Sequence, residues 1–149
     1  MGGPHTCGIK KTGGVAMAVS VGFKAACVAA ALAFAGAAPA FAQEWIGGYT
    51  AYIGEDDLYN SKGARLQEPW QILRQDRANY HRFGIRQRGD EGDPFFSSAN
   101  NRAAMEQMVR RGTITREARR LLLQGGATVY VDIYGRRGVG TSVDVTVSR

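Results

Sequence analysis

Four side chains that form hydrogen bonds lie within six residues of one another: Asp76, Arg77, Tyr80 and His81. The segment around them favours a helix, on which side chains three and four positions apart share a face. They can therefore converge on one ligand, and the guanidinium fork of Arg77 suits a carboxylate or a phosphate. We expect a partner or a small anionic ligand to bind here. The structural alternative is that Asp76 and Arg77 form internal ion pairs or hold a loop, because buried polar groups must be satisfied.

His81 is the only histidine after residue 42, and a histidine can act as a general base near neutral pH. The catalytic hypothesis is a small hydrolase in which His81 works with a carboxylate such as Asp76 or Asp90. No G-x-S-x-G or similar nucleophile motif accompanies it. A zinc site is not expected, because one histidine without cysteines leaves only oxygen ligands. The alternative is that His81 is a polar residue near the end of a helix.

Two acidic stretches contain oxygen atoms that could bind calcium. The first combines Glu55, Asp56 and Asp57 with Asn60, and the second combines Asp90 and Glu91 with Asp93. Neither matches the alternating pattern of a calcium-binding loop. A calcium-stabilised structural domain is therefore an alternative, and solvated charged loops are the simpler interpretation.

The elements that must position these residues predict an α+β fold. We expect a short strand after the glycine pair Gly47-Gly48, then a helix over residues 69–83 that Gly84 ends. A second helix over 99–111 could be capped by Ser98, and a third could run from a Thr115 cap to Gln124. A C-terminal hairpin should complete a small antiparallel sheet that packs on these two or three helices.

The hairpin has one apolar face, because β-branched residues alternate with polar ones from Val129 to Val147. Two registers keep that face intact. One places Asp132 opposite Asp144, a like-charge pair that costs stability, and the other places Asp132 opposite Ser142. We predict the second register, although a bulge would change it.

The first 42 residues have the three parts of a secretory signal peptide. Basic residues precede an uncharged run over 25–42, and Ala40-Phe41-Ala42 has the small residues of a cleavage site. We expect cleavage after Ala42 and a single small globular domain over 43–149, in the periplasm or secreted. Translation could begin at Met1 or at Met17. The alternative is an uncleaved membrane anchor, for which the run is barely long enough.

Removing this segment changes what the composition implies. The whole chain carries 19 basic and 13 acidic residues, but three of the basic ones lie before residue 43, which leaves 16 against 13. That balance is ordinary for a protein surface, so we expect no nucleic-acid partner. Both cysteines, Cys7 and Cys27, also lie in the predicted leader. After cleavage we expect no membrane association and no cofactor, and the leading hypothesis is a non-catalytic envelope module that binds a partner or a small ligand.

Overall fold

The computed structural model describes residues 43–149, and the predicted leader and its alternative start at Met17 lie outside these described residues. Three antiparallel strands form one sheet in the order β1-β2-β3, with β1 at Glu44–Ile53, β2 at Ala127–Arg136 and β3 at Val139–Ser148. The helices are α1 (Pro69–Ala78), α2 (Ala99–Ala103), α3 (Met105–Arg111) and α4 (Arg116–Gln124). A short 3-10 helix covers Glu55–Asp57, and a π-helical turn covers Asn79–Phe83 directly after α1. The predicted α+β class is confirmed.

The core lies between the helices and one face of the sheet. Side chains on a strand alternate between its two faces, so the apolar positions of all three strands point to the same side. The buried core residues include Ala51, Ile53, Val129, Val131, Ile133, Val143 and Val145 from the sheet, and Ile72, Leu73, Phe96, Met105, Met108 and Leu122 from the layer above it. No helix within residues 43–149 combines the length and the apolar character needed to cross a bilayer.

Local signals in the sequence correctly predict where α1 and α4 lie. Pro69 is the first residue of α1, and Gly84 ends the following π-helical turn in a left-handed conformation, with φ of 69°. The Thr115 side chain accepts a hydrogen bond from the backbone N–H of Ala118, which caps α4 as predicted.

Two other elements differ from their predictions. Strand β1 begins at Glu44 and runs through the glycine pair, with an irregularity between Trp45 and Gly47, so it is longer than the short strand expected. The single helix expected over 99–111 is broken at Ala104, whose ψ of −5° departs from helical geometry. Because of this break, residues 43–149 contain four α-helices, whereas two or three were predicted.

The predicted hairpin register is wrong. Asp132 lies opposite Asp144, and the register shifts only beyond Tyr134. The like-charge pair is tolerated because each carboxylate has its own donor. Asp132 accepts a hydrogen bond of 2.9 Å from the indole N–H of Trp45, and Asp144 accepts one of 2.8 Å from the backbone N–H of Thr113.

Candidate functional site

Arg77 lies at the centre of a buried polar cluster. Its side chain is fully buried, as is that of Asp76 beside it. The Nε–H of Arg77 donates to Asp76 Oδ2 at 2.7 Å, and Nη1 donates to Asp93 Oδ2 at 3.1 Å and to the carbonyl oxygen of Glu91 at 2.8 Å. A guanidinium needs such partners when it leaves water. The cluster therefore ties α1 to the loop that carries Glu91 and Asp93.

Aromatic rings enclose the Arg77 guanidinium. Its central carbon lies 3.9 Å from the ring centroid of Tyr49 and 4.9 Å from that of Tyr80, which are cation–π distances. Tyr49 also packs edge-on against Phe96. Its hydroxyl is buried, and among the described residues it has no hydrogen-bond partner. Burial raises the pKa of Tyr49 well above its usual value, so the hydroxyl stays neutral.

His81 joins the same cluster through Asp93. Its Nε2 lies 3.0 Å from Asp93 Oδ2, and its side chain is 13% exposed. The catalytic hypothesis named Asp76 or Asp90 as the carboxylate, whereas the structure pairs His81 with Asp93. A carboxylate that orients an imidazole is a feature of general-base catalysis, but here the same oxygen also accepts from Arg77.

Two aspartates of this region have raised pKa values. Burial raises the pKa of Asp76 to about 7, against the opposing effect of Arg77. Burial also raises the pKa of Asp57, whose carboxylate accepts hydrogen bonds from the Asn79 side chain and the Gly54 backbone N–H. Asp57 joins the Gly54 backbone to the Asn79 side chain, and Asp76 pairs with Arg77, so the protonation of each carboxyl group affects the stability of the fold.

The second acidic stretch protects an edge of the sheet. The backbone N–H of Thr50 donates to Glu91 Oε2 at 2.9 Å, and that of Tyr52 donates to Asp90 Oδ1 at 2.8 Å. Strand β1 is an edge strand, and an unpaired edge invites pairing with another chain. Asp90 and Glu91 thus occupy N–H groups that a further strand would otherwise use.

Protein donors also engage most of the oxygens considered for calcium. Asn60 Oδ1 accepts hydrogen bonds from the backbone N–H groups of Lys62 and Ala64. Asp90 accepts from the backbone N–H of Gln87 as well as from β1, and Asp93 accepts from Arg77. Within residues 43–149, no three His, Cys, Asp or Glu side chains come together as a metal site requires. Calcium binding stays a prediction.

A separate groove lies between the 3-10 helix and the far end of α1. It encloses about 450 Å³, and its lining residues are Glu55, Asp56, Tyr59, Asn60, Ser61, Gln75, Asn79, Phe83 and Ile85. Phe83 is 51% exposed and Ile85 is 41% exposed, although both are large and apolar. The floor is fixed, because Asn79 Nδ2 donates to the carbonyl oxygen of Asp56 at 3.2 Å and Gln75 Nε2 donates to Asn79 Oδ1 at 2.8 Å. A concave site with exposed apolar walls and a few polar groups suits a small organic ligand.

Sequence reasoning found only part of this groove. Glu55, Asp56 and Asn60 belong to the first predicted calcium stretch, whereas the sequence does not predict Gln75, Phe83 or Ile85 as site residues. A regular helix would place Phe83 near the buried face with Leu73. The wider π-helical turn rotates the residues that follow α1, so Phe83 emerges beside the groove instead. An apolar residue directly before a helix-ending glycine was the only signal for it.

A second exposed surface lies on the outer face of the sheet. Trp45, Tyr52 and Tyr130 are exposed there, and a shallow hollow of about 320 Å³ lies beside Trp45 and Tyr130. The Trp45 indole is held in place by its hydrogen bond to Asp132.

No protein-family model, no curated protein and no solved structure matches this chain. Function must therefore be inferred from the chain itself.

Proposed function

We propose that this protein is an exported, non-catalytic binding module that holds a small organic ligand in the groove between the 3-10 helix and the end of α1. The proposal of export rests on the signal-like first 42 residues, with cleavage after Ala42 and release to the periplasm or the medium. The proposal of binding rests on the groove.

The observation that carries the binding proposal is the exposure of Phe83 and Ile85 on the wall of a concave site. Neither side chain contributes to the buried core, so folding alone gives no reason for two large apolar residues to meet here. The volume of about 450 Å³ falls within the range typical of small-molecule sites.

The Asp76–His81 cluster supports the same proposal, because its side chains bind one another and the groove is left as the candidate ligand site. The guanidinium of Arg77 is buried and directed at Asp76, Asp93 and a backbone carbonyl, so an anionic ligand would have to displace these internal partners. We therefore assign the cluster to structure and place the ligand in the groove. The hydrolase alternative would now rely on His81 and Asp93, with a nucleophile supplied by water.

A partner in the cell envelope is the second candidate, and the exposed aromatic residues Trp45, Tyr52 and Tyr130 on the outer sheet face favour it. Variants of these three residues would weaken capture of a protein partner without changing ligand binding in the groove. We propose no nucleic-acid partner, because basic and acidic residues are nearly balanced after residue 42.

Export is tested by expressing the full chain with its own leader in a bacterium, fractionating the cells and measuring the intact mass. The expected product begins at Gln43 and is found outside the cytoplasm. A full-length polypeptide that remains in the cytosol would overturn this part of the proposal.

Binding is tested by a thermal-shift screen of the exported protein against a library of small metabolites. A ligand present at 100 times its Kd should stabilise the folded state by about 2.7 kcal/mol. Val139→Ala is the matched control, because Val139 is also a large exposed apolar residue but is the first residue of β3 and does not line the groove. Ligands should stabilise the wild type and this control but not Phe83→Ala. A screen without hits, or hits that stabilise Phe83→Ala equally, would overturn the binding proposal.

A further inference from the structure

We infer that the groove selects an organic cation, namely an ammonium or guanidinium group attached to a compact apolar body. This inference rests on the proposed binding function and adds the chemical class of the ligand. The inference follows from the negative charge of the groove, from its apolar wall and from the cation–π contacts of its aromatic rings.

The groove holds two carboxylates that have no hydrogen-bond or ion-pair partner within residues 43–149. The chain contains 13 acidic residues, all after residue 42. Among the residues that the structure describes, only Glu55 and Asp56 have side-chain carboxylates without a hydrogen bond or an ion pair. Every other acidic side chain is engaged by a backbone N–H, a side-chain donor or a cation. Both free carboxylates line the same groove.

Among residues 43–149, no basic residue lines the groove to neutralise them, although this part of the chain contains more basic than acidic residues. Arg65 lies nearby, but its guanidinium donates to the carbonyl oxygen of Leu123 at 2.9 Å and to the Tyr59 hydroxyl at 3.3 Å. The groove therefore presents negative charge and hydrogen-bond acceptors. A cation complements this charge, whereas an anion would meet two uncompensated carboxylates.

The opposite wall accommodates the rest of such a ligand. Phe83 and Ile85 offer apolar surface to an aliphatic or aromatic body. The Phe83 ring already accepts a cation on one face, because the guanidinium carbon of Arg82 lies 5.0 Å from its centroid. Tyr59 behaves in the same way toward Arg65, at 5.6 Å. Each aromatic ring of the groove thus packs against a cation of the protein on one face, an arrangement that the ring quadrupole favours.

A metal ion would be a poorer occupant. Hard cations such as calcium need six or more oxygen ligands, and Glu55 and Asp56 are not joined by a third acidic side chain in any metal-like group within the described region. The apolar wall would also contribute nothing to a bare ion. An organic cation uses both the carboxylates and the apolar wall.

The inference is tested by calorimetric titration with three probes of similar shape and different charge: phenethylammonium, 2-phenylethanol and 3-phenylpropionate. The protein is the full chain expressed with its leader and purified in its exported form. We expect phenethylammonium to bind about tenfold more tightly than the alcohol, because each exposed charge pair contributes a few tenths to about 1 kcal/mol. We expect the carboxylate to bind most weakly, and the preference for the ammonium to shrink at high salt.

The decisive variant is Glu55→Gln combined with Asp56→Asn, which removes the two charges and keeps the shape of the side chains. It should lose about tenfold in affinity for phenethylammonium and leave the affinity for the alcohol unchanged. Its matched control is Glu106→Gln combined with Glu117→Gln, which removes two charges from exposed ion pairs on α3 and α4. The control should bind all three probes as the wild type does.

The outcomes separate this inference from the proposed function. If the alcohol or the carboxylate binds as tightly as the ammonium, and Phe83→Ala abolishes that binding, the groove binds ligands but the inferred charge selection is overturned. The inference is also overturned if the charge-removing variant binds phenethylammonium as the wild type does, or if none of the three probes binds. In the last case, the thermal-shift screen decides separately whether the groove binds other ligands.

Discussion

Replacing Arg77 with methionine tests whether the buried cluster is structural. Methionine has a similar length and no charge, so the variant removes the guanidinium and fills much of its space. Asp76 and Asp93 then lose their shared donor, and the carbonyl oxygen of Glu91 loses the hydrogen bond from Nη1. Both carboxylates remain buried, each with a side chain about 1% exposed.

The magnitude follows from the burial of these groups. Removing one partner of a buried ion pair costs about 3–5 kcal/mol, because the remaining charge is left without compensation. A domain of this size unfolds with about 5–15 kcal/mol, so the variant should lose a large part of its stability. Each kcal/mol corresponds to about 4–8 °C in a domain of 60–100 residues, so a loss of about 3–5 kcal/mol predicts a fall in Tm of roughly 12–40 °C.

The assay is urea denaturation at pH 8, followed by far-ultraviolet circular dichroism. Arg110→Met is the matched control, because Arg110 forms an exposed pair with Glu106 on α3 and its loss should cost no more than about 0.5 kcal/mol. A loss below about 1 kcal/mol for Arg77→Met would refute a structural role for the cluster. Arg77 would then again be available as a ligand-binding residue.

Three further predictions address pH, packing and calcium. Because burial raises the pKa of Asp76 to about 7 from an ordinary value of 3.8, its contribution to stability is complete below about pH 4 and is lost as the pH rises through 7. Denaturation between pH 5.5 and 8 should therefore show a decline of up to about 1.4 kcal/mol per pH unit that Asp76→Asn reduces, and equal slopes would contradict this. Gly112→Ala should lower the free energy of unfolding by more than about 3 kcal/mol, because the added Cβ would overlap the carbonyl oxygen of Val143. Gly63→Ala should lower it by only about 1 kcal/mol in the same denaturation assay, because Gly63 lies in open space at φ +74°. Adding EDTA or calcium should change Tm by less than about 1 °C, and a rise of several degrees with calcium would support the calcium alternative.

The elements that the sequence predicted well are those with local signals. The cap at Thr115 and the glycine that ends the π-helical turn after α1 act within a few residues, so the sequence near each end was sufficient. The alternation along β2 and β3 likewise identified the buried face of the hairpin. These features gave the α+β class.

The features that were missed depend on contacts between distant parts of the chain. The hairpin register was wrong because Asp132 and Asp144 obtain donors from Trp45 and from Thr113, outside the hairpin itself. In an isolated hairpin, the carboxylates of these two aspartates would repel each other. Within the fold each carboxylate is satisfied, so the local penalty does not decide the register.

The candidate site was only partly predictable for the same reason. The sequence showed that Asp76, Arg77 and His81 lie close together, but not that Asp93 and Tyr49 would enclose them. The groove was even less predictable from the sequence. It forms where the 3-10 helix at Glu55–Asp57 meets the π-helical turn at Asn79–Phe83, and the sequence of neither segment predicts contact with the other.

The most direct test of the proposed site is a two-dimensional ¹⁵N–¹H NMR titration of the exported protein with phenethylammonium. Ligand in the groove should shift backbone amide signals of residues 55–61 and 79–85 and leave the side-chain Nε–Hε signal of Arg77 unchanged. Shifts centred on Arg77 and His81 instead, with the groove signals unmoved, would contradict both the structural role of the cluster and the location of the site.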